Sequence, residues 1–207
     1  MWHDVDQNTE EWLALRSGKV TGSAVAKIMA SYGKPFGEPA KRYAVDIAVE
    51  HLKGSPIDGP RYINAHMEAG HVEEPIAIAL YEEEFFTTVT KGGFFDNGET
   101  GVSPDGLVGL DGMVEVKSVV PATHFATLSR NAHDPSYHWQ LMFELKESGR
   151  SWVDYVSFCQ QFYGPKKLIV KRIFAEDCRD DFMKIDIRLD EFQGLVNNTI
   201  EKIKESV

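Results

Sequence analysis

The sequence predicts a mixed α/β or α+β chain, one sheet with helices packed against it. Three observations carry this. Apolar residues recur at helical spacing through much of the stretch from Glu10 to Phe86. From Phe85 the texture turns β-rich and glycine-punctuated. Helical patterning then returns, followed by two strand-like apolar runs and a closing helix.

The elements follow in order. Glu10 to Met29 reads as two short helices, with Gly18 and Thr21-Gly22-Ser23 at their junction and a Ser or Thr to cap the second. Tyr32 to Pro39 is a loop. Lys41 to Leu52 reads as an amphipathic helix, with Tyr43, Ile47 and His51 spaced by four. Gly54 to Pro60 is another loop. Asn64 to Phe86 reads as a helix in which Val72, Ile76 and Leu80 form one buried stripe. Pro75 removes a backbone donor there and predicts a kink or a restart. Thr87 to Thr90 is β-rich. Leu107 to Leu110, Asp111-Gly112 and Met113 to Lys117 read as strand, tight turn, strand. Residues 121 to 148 read as helical, divided near Asp134-Pro135. Trp152 to Gln160 and Leu168 to Phe174 read as strands, and Asp190 to Glu205 as an amphipathic helix.

A chain of 207 residues predicts a single domain spanning 1–207. Its hydrophobic share of 43% is close to the globular average, so a core of useful size is expected. No apolar run reaches bilayer-spanning length. The opening Met-Trp-His-Asp-Val-Asp-Gln lacks the basic start and apolar stretch of a secretory signal, so a cytoplasmic location is expected. Cys159 and Cys178 have no metal-ligand spacing and are expected to be reduced. The net charge of −10 argues against a general nucleic-acid binder, yet leaves room for a basic channel on an acidic body.

The most informative stretch is Ser103-Pro104-Asp105-Gly106, followed after eight intervening residues by Glu115-Val116-Lys117. Alternate side chains of a strand share a face, so Glu115 and Lys117 point the same way, about 7 Å apart along the strand. The hairpin brings Asp105 alongside. Mg²⁺ takes oxygen ligands and uses few carboxylates, keeping positions for water and phosphate. Asp105, Glu115 and the Val116 carbonyl would supply three such oxygens. Lys117 would orient or deprotonate an attacking water, or stabilise developing charge. Ser-Pro-Asp-Gly alone is a turn sequence, and Glu-Val-Lys alone is a common strand pattern. The joint pattern is the specific one.

An acidic residue, a spacer of about ten and E-x-K on a strand resemble the PD-(D/E)xK nuclease superfamily. Further segments narrow the resemblance. W-x-x-L-R-x-G-x-V-T-G-S begins at Trp12, G-x-x-E at Gly70 and W-Q-L-M at Trp139. In this order they resemble the lambda exonuclease family, the YqaJ-type viral recombinase nucleases, from about Trp12 to about Glu144.

The resemblance implies a restriction-endonuclease-like core, a central mixed β-sheet flanked by helices. It implies a Mg²⁺-dependent exonuclease, with Mn²⁺ as a substitute, that degrades one strand of duplex DNA 5′ to 3′. The products would be 5′-mononucleotides and 3′ overhangs for recombination by strand annealing. Asp105, Glu115 and Val116 match the metal-binding positions, and Lys117 the catalytic lysine. Glu73 matches a helix-borne glutamate assisting the metal site, and Gln140 a glutamine that positions lysine and substrate. Arg16, Ser23 and Ser103 match positions holding a 5′-terminal phosphate, a role that suits a guanidinium with hydroxyl donors. Met67 aligns with a strand-separating wedge. The family further implies a homotrimeric ring around double-stranded DNA ends, a bacteriophage source, a bacterial host cytoplasm and a single-strand annealing partner. Lys27, Lys34, Lys41 and Arg42 are candidate channel residues. The alternatives are a restriction-like or structure-specific endonuclease and a non-catalytic DNA-binding protein on the same fold.

Overall fold

Among the described residues the strands form two sheets rather than the single one expected from the sequence. The computed structural model describes residues 1–57 and 65–205, the side chains of 65–69, 71 and 165 excepted. The chain begins with β1 (Trp2–His3), α1 (Glu10–Arg16), β2 (Val20–Thr21), α2 (Gly22–Met29), α3 (Glu38–Lys53) and α4 (Ala65–Phe85). Then come β3 (Val89–Lys91), β4 (Phe94–Asp96), β5 (Thr100–Val102), β6 (Gly106–Val108) and β7 (Gly112–Ser118). The chain continues through α5 (Pro121–Arg130), α6 (His138–Ser148), β8 (Trp152–Phe158), β9 (Leu168–Phe174) and α7 (Arg179–Glu205).

The larger sheet has the order β3-β6-β7-β8-β9 and the smaller β1-β4-β5-β2. In the larger one β7 and β8 are parallel and the other pairs antiparallel, so it is the mixed sheet the family resemblance implies. One core joins the sheets: Val20 and Val102 of the smaller pack in the same cluster as Met113, Val153 and Tyr155 of the larger. Helices α2, α3, α6 and α7 close that side. Helix α4 covers the other face, through Ala77 and Tyr81 against Val114, Val116 and Val156. Among the described residues, no helix is long and apolar enough to cross a membrane. Cys159 and Cys178 are free thiols, both buried.

Several local expectations change. The α4 stripe is rotated: Val72 is 70% exposed, whereas Ala77 and Tyr81 are buried. The small alanine lets the helix lie close to the sheet, and the Tyr81 hydroxyl donates to Asp154 at 2.6 Å. The helix runs on through Pro75. The β6–β7 turn is Gly109-Leu110-Asp111, with Gly109 at φ +55°, not Asp111-Gly112. Gly112 belongs to the strand because Trp152 crosses it; a Cβ there would lie 2.0 Å from the indole. Thr21 precedes α2 without a side-chain cap. Helix α7 begins eleven residues before the expected Asp190, at Arg179. Its buried stripe is Ile185, Arg188, Phe192 and Val196, and the arginine breaks the apolar pattern. The guanidinium is accommodated by stacking on Phe36 at 3.7 Å and donating to the Ile28 carbonyl at 2.9 Å.

Candidate active site

Strand β7 organises the site. Its Glu115 side chain is buried, and Lys117 Nζ lies 2.7 Å from Glu115 Oε1, so the two share a face as strand alternation requires. Val116 points the other way, into the α4-side core. Asp105 sits just before β6, whose pairing with β7 matches Gly106 to Val114. Beyond that point the β7 edge faces Asp105, and the Val116 N–H donates to Asp105 Oδ2 at 2.7 Å. A strand residue's N–H and C=O lie on the same edge, so the Val116 carbonyl also faces Asp105.

Helix α6 approaches the same cluster. Gln140 Nε2 donates to Glu115 Oε1 at 2.6 Å and to Glu144 Oε1 at 2.9 Å. Tyr137 packs its ring 4.9 Å from Lys117 Nζ. The electrostatics are those of crowded carboxylates. Burial, then Glu115 and Glu74, push the Asp105 carboxyl well above the usual range, against the opposing pull of Lys117. Burial and Glu115 raise Glu144 likewise. Burial opposes the charge on Lys117, but Glu115, Asp105 and Glu144 outweigh it and hold the ammonium firmly protonated.

A divalent cation fits this donor set. Glu115 Oε2 is buried without a hydrogen-bond partner, which leaves it free to ligate a cation. Among the described residues, no three His, Cys, Asp or Glu side chains converge at metal distance. The ion would therefore rest on Asp105, Glu115, the Val116 carbonyl and water, a set suited to Mg²⁺.

The expected helix-borne glutamate, Glu73, stands on α4 next to Glu74, and both are half-buried. Glu74 is the neighbour that acts on Asp105, and both line a cavity of about 340 Å³ whose wall also holds Lys91. Buried Ala77 and Tyr81 lie three and seven residues after Glu74 and four and eight after Glu73, so helical spacing places both glutamates beside the sheet-facing stripe. No period in the sequence separates the two. Glu144 was also missed; its signal is the i, i+4 spacing from Gln140.

A second cluster adjoins the first. Trp12 Nε1 donates to Ser103 Oγ at 2.7 Å, and the Arg16 guanidinium lies 4.0 Å over the Trp12 ring. Arg16 also reaches Ser23 Oγ at 3.5 Å. Trp12 thus joins Arg16 to Ser103, Arg16 in turn reaches Ser23, and Ser103 is two residues from Asp105. The Met67 side chain lies outside the described residues. Of the candidate channel cations, Lys41 pairs with Glu38 and Lys27 lies over Tyr43.

The mixed sheet and its helical layers define a restriction-endonuclease-like fold. A family model for the YqaJ-like viral recombinase domain matches residues 11–151, and the chain belongs to that family. The alkaline exonuclease LHK-Exo from Laribacter hongkongensis superposes with a TM-score of 0.82 at 31% identity, over 96% of this chain and 97% of that one. Its complex with dAMP gives 0.79 at 29%, over 96% and 100%. A phage-related exonuclease from Haemophilus somnus 129PT shares the fold, with a TM-score of 0.71 at 15% identity over 89% and 96%. No curated protein sequence matches the chain.

Proposed function

We propose that this protein is a divalent-metal-dependent exonuclease, served by Mg²⁺ and also by Mn²⁺. It degrades one strand of duplex DNA from the 5′ end, releasing 5′-mononucleotides and leaving a 3′ overhang. The observation that carries the reading is the adjacency of the two clusters. Two residues of chain span at most ~7 Å, so a terminal phosphate held by Arg16, Ser23 and Ser103 stands about one nucleotide from Asp105. That spacing suits removal of a single end nucleotide. The relatives described as exonucleases support the same class of activity, as does a relative's complex with a mononucleotide.

Each residue then has a task. Asp105, Glu115 and the Val116 carbonyl hold the cation, and Glu74 adds negative charge from α4. A bound cation supplies positive charge against the phosphate being cut. Lys117 donates to the reacting phosphate or to the incoming water. Gln140 fixes Glu115. Arg16 and the two serines read the end. A three-subunit ring would reconcile a net charge of −10 with DNA binding, since only its channel must be basic. The overhang suits a single-strand annealing partner in a bacterial cytoplasm.

The test is digestion of linear duplex bearing a 5′-phosphate or a 5′-hydroxyl, with a closed circle as control and K117A alongside. The reading expects Mg²⁺-dependent loss of linear DNA only, faster from phosphorylated ends, and none with K117A. Cutting of the circle would replace it with an endonuclease. No metal-dependent cutting would leave a DNA-binding protein on this fold.

A further inference from the structure

Glu144 is a buried carboxylate that the reaction above does not use. It is 2% exposed, in the stretch of α6 where Leu141, Met142, Phe143 and Leu145 are also buried. A carboxyl group costs free energy in such surroundings unless something requires it. Its surroundings are tight as well. Gly22 opens α2 against it, and a Cβ on Gly22 would lie 2.6 Å from Glu144 Oε1.

Its bonded partner is Gln140. A glutamine amide can face a neighbour with either its NH₂ or its oxygen, and the neighbour decides. Here the NH₂ spends its two hydrogens on Glu144 Oε1 and Glu115 Oε1. The reversed amide would set its oxygen against both carboxyl groups. Glu115 Oε1 also receives Lys117 Nζ at 2.7 Å. Two donors on that oxygen fix the carboxylate plane, and the other oxygen, Oε2, remains without a partner. The order of dependence is therefore Glu144, Gln140, Glu115 Oε1, then the presentation of Oε2.

We infer that Glu144 is a positioning residue: by accepting from Gln140 it selects the amide orientation that clamps Glu115 and presents Glu115 Oε2 to a divalent cation. This rests on the proposed metal site. Groups that orient a metal-ligating carboxylate typically change affinity by about 10–100-fold when removed. Glu115 alone offers Gln140 a weaker instruction, because its electrons are shared with Lys117 and the cation.

The experiment measures Mn²⁺ affinity by calorimetry, and cleavage of linear duplex by kcat and KM, on the full chain. The variants are E144A, E144Q, Q140A, the double E144A/Q140A, and G22A. E144A is expected to lower Mn²⁺ affinity by about 10–100-fold and to lower kcat more than KM for DNA. E144Q keeps an acceptor in the same place and is expected to retain most of the affinity. The double variant is expected to be no worse than Q140A, because both act through one bond. G22A displaces the Glu144 carboxyl without removing it and is expected to resemble E144A, which keeps the test open should E144A fail to fold. Additive losses in the double variant would overturn the inference, as would E144Q behaving like E144A. Wild-type Mn²⁺ affinity in both E144A and G22A would overturn it while leaving the nuclease reading intact. A wild-type protein that binds no Mn²⁺ and cuts no DNA would end both.

Discussion

The backbone N–H of Val116 donates to Asp105 Oδ2 at 2.7 Å, joining positions eleven apart in the sequence. This bond closes the two halves of the E-x-K pattern into one site. It also separates two roles of Asp105, since an asparagine keeps the acceptor but loses the charge. Asp105→Asn is expected to preserve the thermal unfolding midpoint within a few degrees and to lower cleavage by at least ~10²-fold. Circular dichroism and single-turnover cleavage check the pair. An active D105N would remove the charge of Asp105 from the chemistry.

Glu73 and Glu74 are neighbours in sequence but differ in what they face. Glu74 acts on Asp105, so Glu74→Gln is expected to raise the Mg²⁺ concentration needed for half-maximal cleavage by about tenfold. Glu73→Gln is expected to leave that concentration unchanged. A metal titration of both variants decides it, and a larger effect at Glu73 would reverse the assignment.

Arg16 and Ser103 are both held by Trp12, one by stacking and one by its indole N–H. Arg16→Ala should slow cleavage from 5′-phosphorylated ends much more than from 5′-hydroxyl ends; removing a charge-assisted hydrogen bond to the phosphate corresponds to about tenfold or more. Trp12→Phe keeps an aromatic face but loses the donor to Ser103, and should show a smaller shift in the same preference. Equal slowing on both kinds of end would refute the pocket.

Glu147 ties α6 to the β4–β5 turn. It accepts from Lys146 and Asn97 at 2.9 Å each, and from Thr100. Burial raises its pKa, but bonds from Thr100, Asn97 and Lys146 outweigh that and leave it below 4.5. A lowered folded-state pKa adds stability that is present above the unfolded value and is lost as pH falls through the folded one. Glu147→Gln is therefore expected to cost about 1–2 kcal/mol at pH 7. The gap to wild type should narrow below pH 4.5, as urea unfolding across the acid range would show. A gap that widened in acid would contradict the ion pairing.

The β7 half of the site was legible because period-two alternation is a local rule. Glu115, Lys117 and the opposed Val116 follow from it directly. Arg188 shows the opposite case. A charged residue on a buried stripe hides the start of α7, and the Phe36 ring, the Ile28 carbonyl and the Glu191 carboxylate make it tolerable. Strands of two or three residues, such as β1, β2 and β5, carry no readable period, so the second sheet was not visible.

By itself the sequence determined the mixed class, the order of most elements, and the carboxylate and lysine set on β7. Those rest on spacing along one chain segment. Tertiary structure decided the rest. It set how α4 lies on the sheet, which puts Glu74 in one cavity with Asp105. It brought Trp12 to Ser103, Gln140 to Glu115, and Gly22 against Glu144. These depend on how closely one element can approach another, which is set by side-chain volume across the contact rather than by periodicity within either element.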